Sequence, residues 1–341
     1  MEPDTATPGP TMLYTVRTPL RVSFFGGGTD YPEYFRRGRG AVLGMAVNKY
    51  IYISAFRLLS CLEYRYRLSY SRLEQVGSAD EIQHPAVREA FRLYGVTDPL
   101  DVSVMADLPA NSGLGSSSSF SVGLLNLISH MAGASVTKLD LAQRAIHLER
   151  EVLGENVGVQ DQLHAAFGGF NRFDLTDNRV RISPLQMTGP CQDRLMQSLF
   201  LVYTGVKRHA SKILDEQVTA TASGSLDRDL SHLLGLVDDA TAVLEGRDPV
   251  TMLNDFGAML HEGWLTKRRL SARISSPEID ALYEQARGSG AIGGKLCGAG
   301  AGGFLLAVVP PERRGEFLDG MADRQVMPIT MDTQGSVVLR Q

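Results

Sequence analysis

The stretch LPANSGLGSSSSFSVGLL, residues 108–125, places a loop of small residues directly before a helix. Seven of the nine residues from Gly113 to Ser121 are glycine or serine. The preceding DVSVMA, residues 101–106, alternates apolar and polar residues as a strand does. The residues that follow have the spacing of an apolar helix face, namely Phe120, Leu124, Leu127, Ile128 and Met131. The order is therefore strand, small-residue loop and helix start.

Such a loop suits a phosphate group. Small residues let backbone N–H groups approach a ligand closely, and the helix dipole adds partial positive charge at the helix start. A flexible loop with serines as helix caps has the same composition. On these residues alone, both interpretations stay open.

The bulk composition is that of an ordinary globular protein. The 341 residues are 43% apolar and 21% charged, and they allow two domains. The net charge of −4 favours neither nucleic acid nor an anionic membrane as a partner. We expect small-molecule partners, and a homodimer stays open.

The first residues of the chain and its cysteines indicate the compartment and redox state that we expect for the protein. The first 12 residues, MEPDTATPGPTM, lack the basic and apolar segments of a signal peptide and are expected to form a disordered tail. No apolar run approaches the roughly 18 residues of a membrane span. Three distant cysteines, Cys61, Cys191 and Cys297, suggest neither a disulfide framework nor a zinc site. The expected location is the cytoplasm.

Strands dominate the first half of the chain and helices much of the second. Alternation predicts strands at 19–25, 41–56, 61–70, 101–106, around 167–185 and at 198–204. Helices are predicted at 85–94 and about 138–153, and 208–287 is predicted to be mostly helical. A second glycine-rich loop, in AIGGKLCGAGAGGFLLAVV, leads into a last buried strand. This order favours an α+β protein of two domains.

Glu149 is the most informative single residue of the helix LDLAQRAIHLEREVLG. At about 100° per residue it falls in the middle of the apolar face. A carboxylate there is costly unless it is paired or binds a metal. It is either a structural ion pair with an arginine or a Mg²⁺ ligand, since Mg²⁺ usually takes only one or two carboxylates plus phosphates.

Asp161, in ENVGVQDQLHAAFGG, is a candidate general base. An acidic residue near a glycine is most often a cap or a surface charge. Its functional interpretation depends on Arg21 of the first strand, because an arginine beside an aspartate keeps the carboxylate ionised. Such a pair could take a proton from an alcohol.

Three segments together resemble the motifs of the GHMP small-molecule kinases. They are TPLRVSFFGGGTDYPEYF (18–35), LPANSGLGSSSSFSVGLL (108–125) and KLCGAGAGGFLLAV (295–308). The resemblance implies a two-domain α+β GHMP kinase fold with ATP between the domains. Residues 13–187 would form a ribosomal S5 domain 2-like N-terminal domain with a left-handed crossover. Residues 188–341 would form a ferredoxin-like C-terminal domain.

The resemblance also implies roles for matched positions. The ATP phosphates would be held by Asn111, Ser112, Gly113, Leu114, Gly115, Ser116 and Ser117. Mg²⁺ would be bound by Ser117 and Glu149. Asp161 would take the acceptor proton, assisted by Arg21. The sugar would be contacted by Gly27, Gly28, Thr29, Asp30 and Gly300.

Within this family, segment 18–35 is similar to that of the bacterial D-glycero-D-manno-heptose 7-phosphate 1-kinases. Galactokinases usually have Gly-Glu-His where this chain has Gly26-Gly27-Gly28. The resemblance implies ATP-dependent phosphorylation of the anomeric hydroxyl of that heptose phosphate. The product would be the 1,7-bisphosphate, used to make nucleotide-activated heptose.

A substrate that already carries a phosphate needs a basic pocket. The candidates are Lys207, Arg208, Lys267 and Arg268. For each of them, a solvated helix face is the competing interpretation. Three further arginines, Arg36, Arg37 and Arg39, are predicted to lie on the surface, and His261 is predicted to be structural.

Two other functions stay open. The enzyme could act on another sugar, such as L-fucose, galactose or another hexose. A non-catalytic protein that binds sugar and ATP and regulates a partner is a different class. The presence of Arg21, Ser117, Glu149 and Asp161 disfavours it.

Overall fold

The computed structural model describes residues 13–59, 61–177, 179–206, 211–300 and 302–339. Its strands form one sheet of eight and one of four, with helices packed against both. This arrangement confirms the predicted α+β class with two domains. The predicted disordered tail lies outside the described residues.

The first domain opens with a long strand. Its elements are β1 (Leu13–Phe25), α1 (Pro32–Phe35), β2 (Gly40–Arg57), β3 (Tyr66–Ser69), β4 (Leu73–Val76), α2 (Pro85–Leu93), β5 (Leu100–Ala106), α3 (Ser116–Met131), α4 (Lys138–His147), α5 (Gln160–Phe167), β6 (Phe170–Thr176) and β7 (Arg179–Pro184). A 3₁₀ turn, Ala79–Glu81, precedes α2, and a π-helical turn, Leu148–Val152, follows α4.

The second half of the chain is mostly helical, as predicted. Its elements are α6 (Gly189–Ser198), β8 (Leu199–Tyr203), α7 (Ser211–Ala222), α8 (Asp227–Leu244), α9 (Pro249–Arg269), α10 (Pro277–Gly288), β9 (Gly293–Leu296), β10 (Phe304–Val308), α11 (Arg314–Gly320), β11 (Val326–Pro328) and β12 (Val337–Leu339). A 3₁₀ turn, Pro311–Arg313, precedes α11.

The first sheet branches at β2. Its strand order is β12-β1-β2-β5-β3-β4, and β6 pairs with both β2 and β7. The 18-residue strand β2 permits this branch, because residues 40–45 pair with β6 and residues 51–57 pair with β5. Strand β3 runs parallel to β5, and the pairs of β1 and β2 are antiparallel.

The second sheet has the strand order β11-β8-β10-β9, and all its described pairs are antiparallel. Its fourth strand in sequence lies beside the first, and its third lies between the first and the second. This order is that of a ferredoxin-like domain, and it confirms that prediction.

The last described strand does not follow the predicted division of the chain into two domains. The predicted boundary after residue 187 falls between β7 and α6. However, β12 pairs with β1, with Val16 opposite Val338. The last described strand therefore belongs to the first sheet, so residues 188–341 do not form the second domain alone.

An aromatic cluster joins the two domains at the end of β1. Phe24 and Phe25 contact Phe256 of α9, with ring centroids 5.2 and 5.5 Å apart. All three side chains are buried. Their packing holds the start of the loop Gly26–Asp30 against the second domain.

Three predicted elements differ from the structure. The strand predicted at 61–70 is confined to β3, because residues 61–65 form turns before the sheet. Segment 293–296, predicted as part of a loop, is β9 and pairs with β10. The helix predicted at 138–153 changes to a π turn after His147, where the N–H of Leu153 donates to the C=O of Leu148 at 2.9 Å.

Neither membrane spans nor disulfides occur in the described part of the chain. None of its helices combines the length and apolarity that crossing a membrane requires. The three cysteines are free, with Cys61 exposed and Cys191 and Cys297 buried.

His164 on α5 is a buried, uncharged group of the first domain. It is fully buried, and its ring centroid lies 4.6 Å from that of Phe173. Neither ring nitrogen has a hydrogen-bond partner among the described residues. Burial, with a smaller effect from the charge of Arg21, lowers the pKa of His164 to about 3.

This histidine makes the fold sensitive to acid. As the pH falls from 6.5 towards 3, the unfolded chain binds a proton at His164 and the folded chain does not. We expect the free energy of unfolding to fall by about 1.4 kcal/mol per pH unit from this residue. Urea titrations at pH 7 and pH 5 measure how much the free energy of unfolding falls between the two. This fall should be about 2 kcal/mol smaller in His164→Leu than in the wild type. The exposed His147→Leu is the control and should behave like the wild type; equal losses in all three proteins would contradict the prediction.

Candidate active site

The three glycine-rich segments meet around one cavity between the domains, with a volume of about 220 Å³. Segment 18–35 contributes Arg21, Ser23, Gly27, Gly28, Asp30 and Tyr31. Segment 108–125 contributes Asn111, Gly113, Gly115, Ser116, Ser117 and Ser118. Segment 295–308 contributes Lys295, Gly298, Ala299, Gly300 and Gly302. Residues from elsewhere in the chain complete the wall, among them Gly158, Gln160, Asp161, Gln217 and Lys267.

The loop before α3 presents backbone to this cavity. Three of its residues, Asn111, Gly113 and Gly115, have positive φ angles of 59°, 79° and 74°. This left-handed backbone turns the chain sharply into the start of the 16-residue helix α3. Free N–H groups at a helix start suit an anion.

Two of the predicted phosphate-binding positions turn their side chains away from the cavity. Ser112 and Leu114 are buried and do not line it. The carbonyl of Leu114 instead accepts the backbone N–H of Arg21 at 3.0 Å. Any contact of these two residues with a ligand would come from the backbone alone.

The loop before α3 and the third glycine segment, residues 295–308, touch through their backbones. A Cβ added at Gly113 would lie 2.5 Å from the carbonyl oxygen of Cys297, and one at Gly298 would lie 2.6 Å from the Cα of Gly113. Only glycine permits this approach. The contact brings the second domain up to the phosphate loop.

Arg21 and Asp161 form a bidentate pair, which confirms that they meet. Arg21 Nε and one terminal nitrogen donate to the two Asp161 oxygens, both at 2.7 Å. The other terminal nitrogen donates to the carbonyl of Gly113 at 2.8 Å. Burial alone would lower the pKa of Arg21, but the Asp161 carboxylate offsets this and the net shift is upward. The guanidinium thus stays charged and fixes Asp161 beside the phosphate loop.

Asp30 organises the loop Gly26–Asp30 from inside. It is 1% exposed and accepts the N–H groups of Gly28 at 3.0 Å and Gln160 at 3.4 Å. Burial, followed by the charge of Asp161, raises the pKa of Asp30. A Cβ at Gly158 would lie 2.0 Å from Asp30 Oδ2, so this carboxylate also requires a glycine opposite it.

Thr29 differs from its predicted role. It is fully buried and does not line the cavity. Its hydroxyl lies 2.8 Å from the carbonyls of both Gly26 and Ala41. The side chain is used within the loop, whereas Gly27, Gly28 and Gly300 do face the cavity.

Glu149 is fully buried, and no arginine pairs with it among the described residues. Its Oε2 accepts Ser118 Oγ at 2.8 Å and the side-chain amide of Gln162, and its Oε1 has no partner. Burial, partly offset by the side chains of Ser121, Ser118 and Gln162, raises the pKa of Glu149 to about 7. The ion-pair interpretation is therefore wrong for this residue.

The donor set fits a magnesium ion held mainly by phosphates. The described residues contain no cluster of three or more metal-binding side chains. Glu149 does not line the cavity, but one buried carboxylate behind a loop suited to phosphate matches the one or two carboxylates that Mg²⁺ takes. Ser117 is exposed and lines the cavity, whereas Ser118, one residue on, contacts Glu149.

The basic candidates separate into two groups. Lys267 lines the cavity and donates to the carbonyl of Gly298, and burial lowers its pKa to about 8. Arg268 does not line the cavity and pairs with Asp280 at 2.6 Å. Its candidacy is not supported. Lys207 and Arg208 lie outside the described residues.

The residues predicted to be structural behave as such. Three arginines, Arg36, Arg37 and Arg39, are exposed and pair with aspartates. His261 Nδ1 lies 2.6 Å from the Tyr283 hydroxyl.

Sequence reasoning missed several residues of the cavity. Lys295 is 7% exposed and donates to the carbonyl of Phe24 at 2.9 Å, and burial lowers its pKa well below the ordinary value. Lys295 is the first residue of the third glycine segment, and a charged residue among buried ones in β9 is the same pattern that marked Glu149. Gln160 adjoins Asp161 in sequence, but nothing in the sequence around Gln217 pointed to the site.

Family models match both halves of this architecture. The model of the GHMP kinases N terminal domain matches residues 82–169 and that of the GHMP kinases C terminal matches residues 251–325. The chain belongs to the GHMP kinase family. These matches include the phosphate loop and the third glycine segment, whose backbones touch in the structure.

Individual GHMP kinases resemble the chain over nearly its whole length. It is 28% identical over 330 residues to the D-glycero-alpha-D-manno-heptose 7-phosphate kinase of Campylobacter jejuni, covering 92% of this chain and 95% of that one. It is 26% identical to the galactokinase of Pyrococcus furiosus, with 88% and 90% covered. The crystal structure of a D-glycero-D-manno-heptose 1-phosphate kinase from Bacteroides thetaiotaomicron superposes with a TM-score of 0.77, at 23% identity and with 97% and 99% covered.

Proposed function

We propose that this sugar kinase transfers the γ-phosphoryl group of ATP to the anomeric hydroxyl of D-glycero-D-manno-heptose 7-phosphate, giving the 1,7-bisphosphate. One observation carries the proposal: the Arg21–Asp161 pair lies between the phosphate loop and the Gly27–Gly28 loop, and both line one cavity. The similarity to the Campylobacter heptose phosphate kinase supports the choice of sugar.

In this proposal, Asp161 takes the proton of the attacking hydroxyl. Its oxygens both accept from Arg21, but a carboxylate oxygen has a second lone pair and can accept another hydrogen bond. The side chain is 24% exposed, towards the cavity that would hold the acceptor. A positioned base of this kind contributes about 10²–10⁴-fold to a rate.

The remaining catalytic work is positioning and neutralisation of charge. Backbone N–H groups at the start of α3 would hold the ATP phosphates, and a bound phosphate would favour the charged form of Lys295, which lines the same cavity. Glu149 and Ser117 would hold Mg²⁺, which neutralises phosphate charge when bound. Arg21, fixed on Gly113 and Asp161, keeps the base at the junction of the two binding regions.

Lys267 is the described candidate for contacting the 7-phosphate. We expect Lys267→Met to raise KM for the heptose 7-phosphate about 10-fold or more, as for loss of a charge-assisted hydrogen bond. KM for the unphosphorylated heptose should stay unchanged. The neighbouring Arg268→Met, whose charge pairs with Asp280 outside the cavity, is the control and should leave both constants unchanged. Equal losses for the two acceptors would contradict this assignment.

The proposed function is tested by ADP release with Mg²⁺ and ATP across a panel of acceptors. The panel comprises D-glycero-D-manno-heptose 7-phosphate, its unphosphorylated parent, mannose, galactose and L-fucose. We expect turnover confined to the heptose phosphate. Turnover of galactose or another free sugar would keep the sugar kinase and overturn the heptose assignment.

A further inference from the structure

Two uncharged polar atoms of the cavity are buried and lack hydrogen-bond partners among the described residues. They are the Ser23 hydroxyl and Oε1 of Gln160, and the side-chain amide of Gln217 lines the same cavity beside them. Gln160 and Gln217 are only 8% and 6% exposed. Buried polar groups are normally hydrogen-bonded, because leaving them unpaired costs free energy. Two such atoms in one cavity, with the Gln217 amide beside them, point to a ligand that pairs with these groups.

These groups surround Gly27 and Gly28. A Cβ added at Gly27 would lie 3.6 Å from Ser23 Oγ and 3.8 Å from Gln160 Nε2. One added at Gly28 would lie 3.0 Å from Gln217 Nε2 and 2.9 Å from Leu230 Cδ2, which adds an apolar contact on that side. Side chains at the two glycines would occupy the space between the three groups. Their absence leaves that space to a ligand.

The chemistry of this ring suits hydroxyl groups. A hydroxyl and two primary amides each donate and accept, as the hydroxyls of a sugar do, and they carry no charge. The nearby Asp30 oxygens already accept from Gly28 and Gln160. The lysines of the cavity are held by carbonyls of Phe24 and Gly298. The uncharged ring is thus distinct from the cationic part of the wall.

Gln217 comes from the other domain. It lies on α7, which is fixed to the first domain by a hydrogen bond of 2.8 Å from Asn156 to Asp215. Two residues further along, Gln217 reaches the cavity over Gly28. The ring around the glycines is therefore incomplete without the second domain.

We infer that Gln217 is a specificity-determining residue, which together with Ser23 and Gln160 binds secondary hydroxyls of the acceptor sugar over the Gly27–Gly28 backbone. This inference rests on the proposed function. It assigns the recognition of hydroxyls, as opposed to phosphate, to a defined part of the cavity. It also makes sugar recognition depend on α7.

The test combines Gln217→Leu with acceptors that each lack one secondary hydroxyl, using whichever sugar of the panel the wild type accepts. We expect KM for the full acceptor to rise about 10-fold, the value of one hydrogen bond, with KM for ATP within two-fold of the wild type. The wild type should discriminate about 10-fold against one of the deoxy sugars, and Gln217→Leu should lose that discrimination. The matched control is Glu216→Gln, which removes the exposed pair with Arg273 from the same helix and should leave all constants unchanged.

Calorimetric measurement of acceptor binding distinguishes a failure of this inference from a failure of the proposed function. If the wild type binds and phosphorylates a sugar and Gln217→Leu keeps full discrimination against every deoxy analogue, the inference is overturned and the proposed function stands. If no sugar of the panel binds, both fail. Should Gln217→Leu not fold, Gln217→Asn carries the same test, because its shorter side chain cannot reach the same hydroxyl. A rise in KM for ATP as large as that for the sugar would also overturn the inference.

Discussion

Asp161→Asn is expected to lower kcat by about 10² or more while the affinity for ATP stays within two-fold of the wild type. The substitution keeps the size of the side chain and one oxygen for Arg21, but it removes the negative charge and most of the basicity. Since Arg21 also bonds to Gly113, the loop that would hold ATP keeps its anchor. Single-turnover ADP release and calorimetric titration with an ATP analogue measure the two quantities.

Asp280→Asn is the matched control for this variant. Asp280 accepts from an arginine, Arg268, at 2.6 Å, as Asp161 does from Arg21, but it lies outside the cavity. Its loss should leave kcat unchanged. Turnover of Asp161→Asn equal to that of the wild type would give Asp161 a purely structural role.

Glu149→Gln is expected to raise the half-saturating Mg²⁺ concentration about 10-fold or more. Glutamine fits the same space and can still accept from Ser118, but it offers no charge where Oε1 now has no partner. We expect the defect to be overcome by excess Mg²⁺. Binding of Mn²⁺ in the presence of an ATP analogue, followed by electron paramagnetic resonance, tests the ligand assignment without turnover.

The control for this variant lies in the same π turn. Glu151 is exposed, so Glu151→Gln removes an equal charge without touching the buried carboxylate. It should keep the metal dependence of the wild type. The same dependence in Glu149→Gln would refute the assignment of Glu149 as a magnesium ligand.

The sequence predicted best where chemistry is concentrated in short segments. Small residues before α3 suggested a loop that permits a close backbone approach, and the structure shows such an approach between Gly113 and Gly298. The residue types left open whether Arg21 and Asp161, 140 positions apart, are partners; the family resemblance implied it, and the structure shows the pair. The strand order of the second sheet followed from the family resemblance and not from periodicity.

What the sequence did not predict depends on distant parts of the chain coming together. Val337–Leu339 has an ordinary strand composition, and nothing local tells that it pairs with β1. Gln217 lies on a helix whose pattern does not mark a ligand-facing side. The turn that carries Glu149 is π-helical, yet a period of 3.6 residues placed Glu149 on the correct buried face. The arginine partner that a buried carboxylate suggested is not found among the described residues.

For the same reason, the sequence did not predict which of the basic candidates enters the cavity. Lys267 and Arg268 are adjacent on α9, so they point in different directions. Only packing decides that Lys267 faces Gly298 and that Arg268 faces Asp280. A run of basic residues in a helix thus predicts that some of them are solvated, but not which one enters a cavity.

The most direct test of the central claim is phosphorus NMR of the product formed from D-glycero-D-manno-heptose 7-phosphate, ATP and Mg²⁺. The account predicts one new phosphate signal coupled to the anomeric proton, with the 7-phosphate signal retained. One ADP should form for each sugar molecule that is phosphorylated. A new phosphate on any other carbon, or ADP formed with no new sugar phosphate, would contradict it.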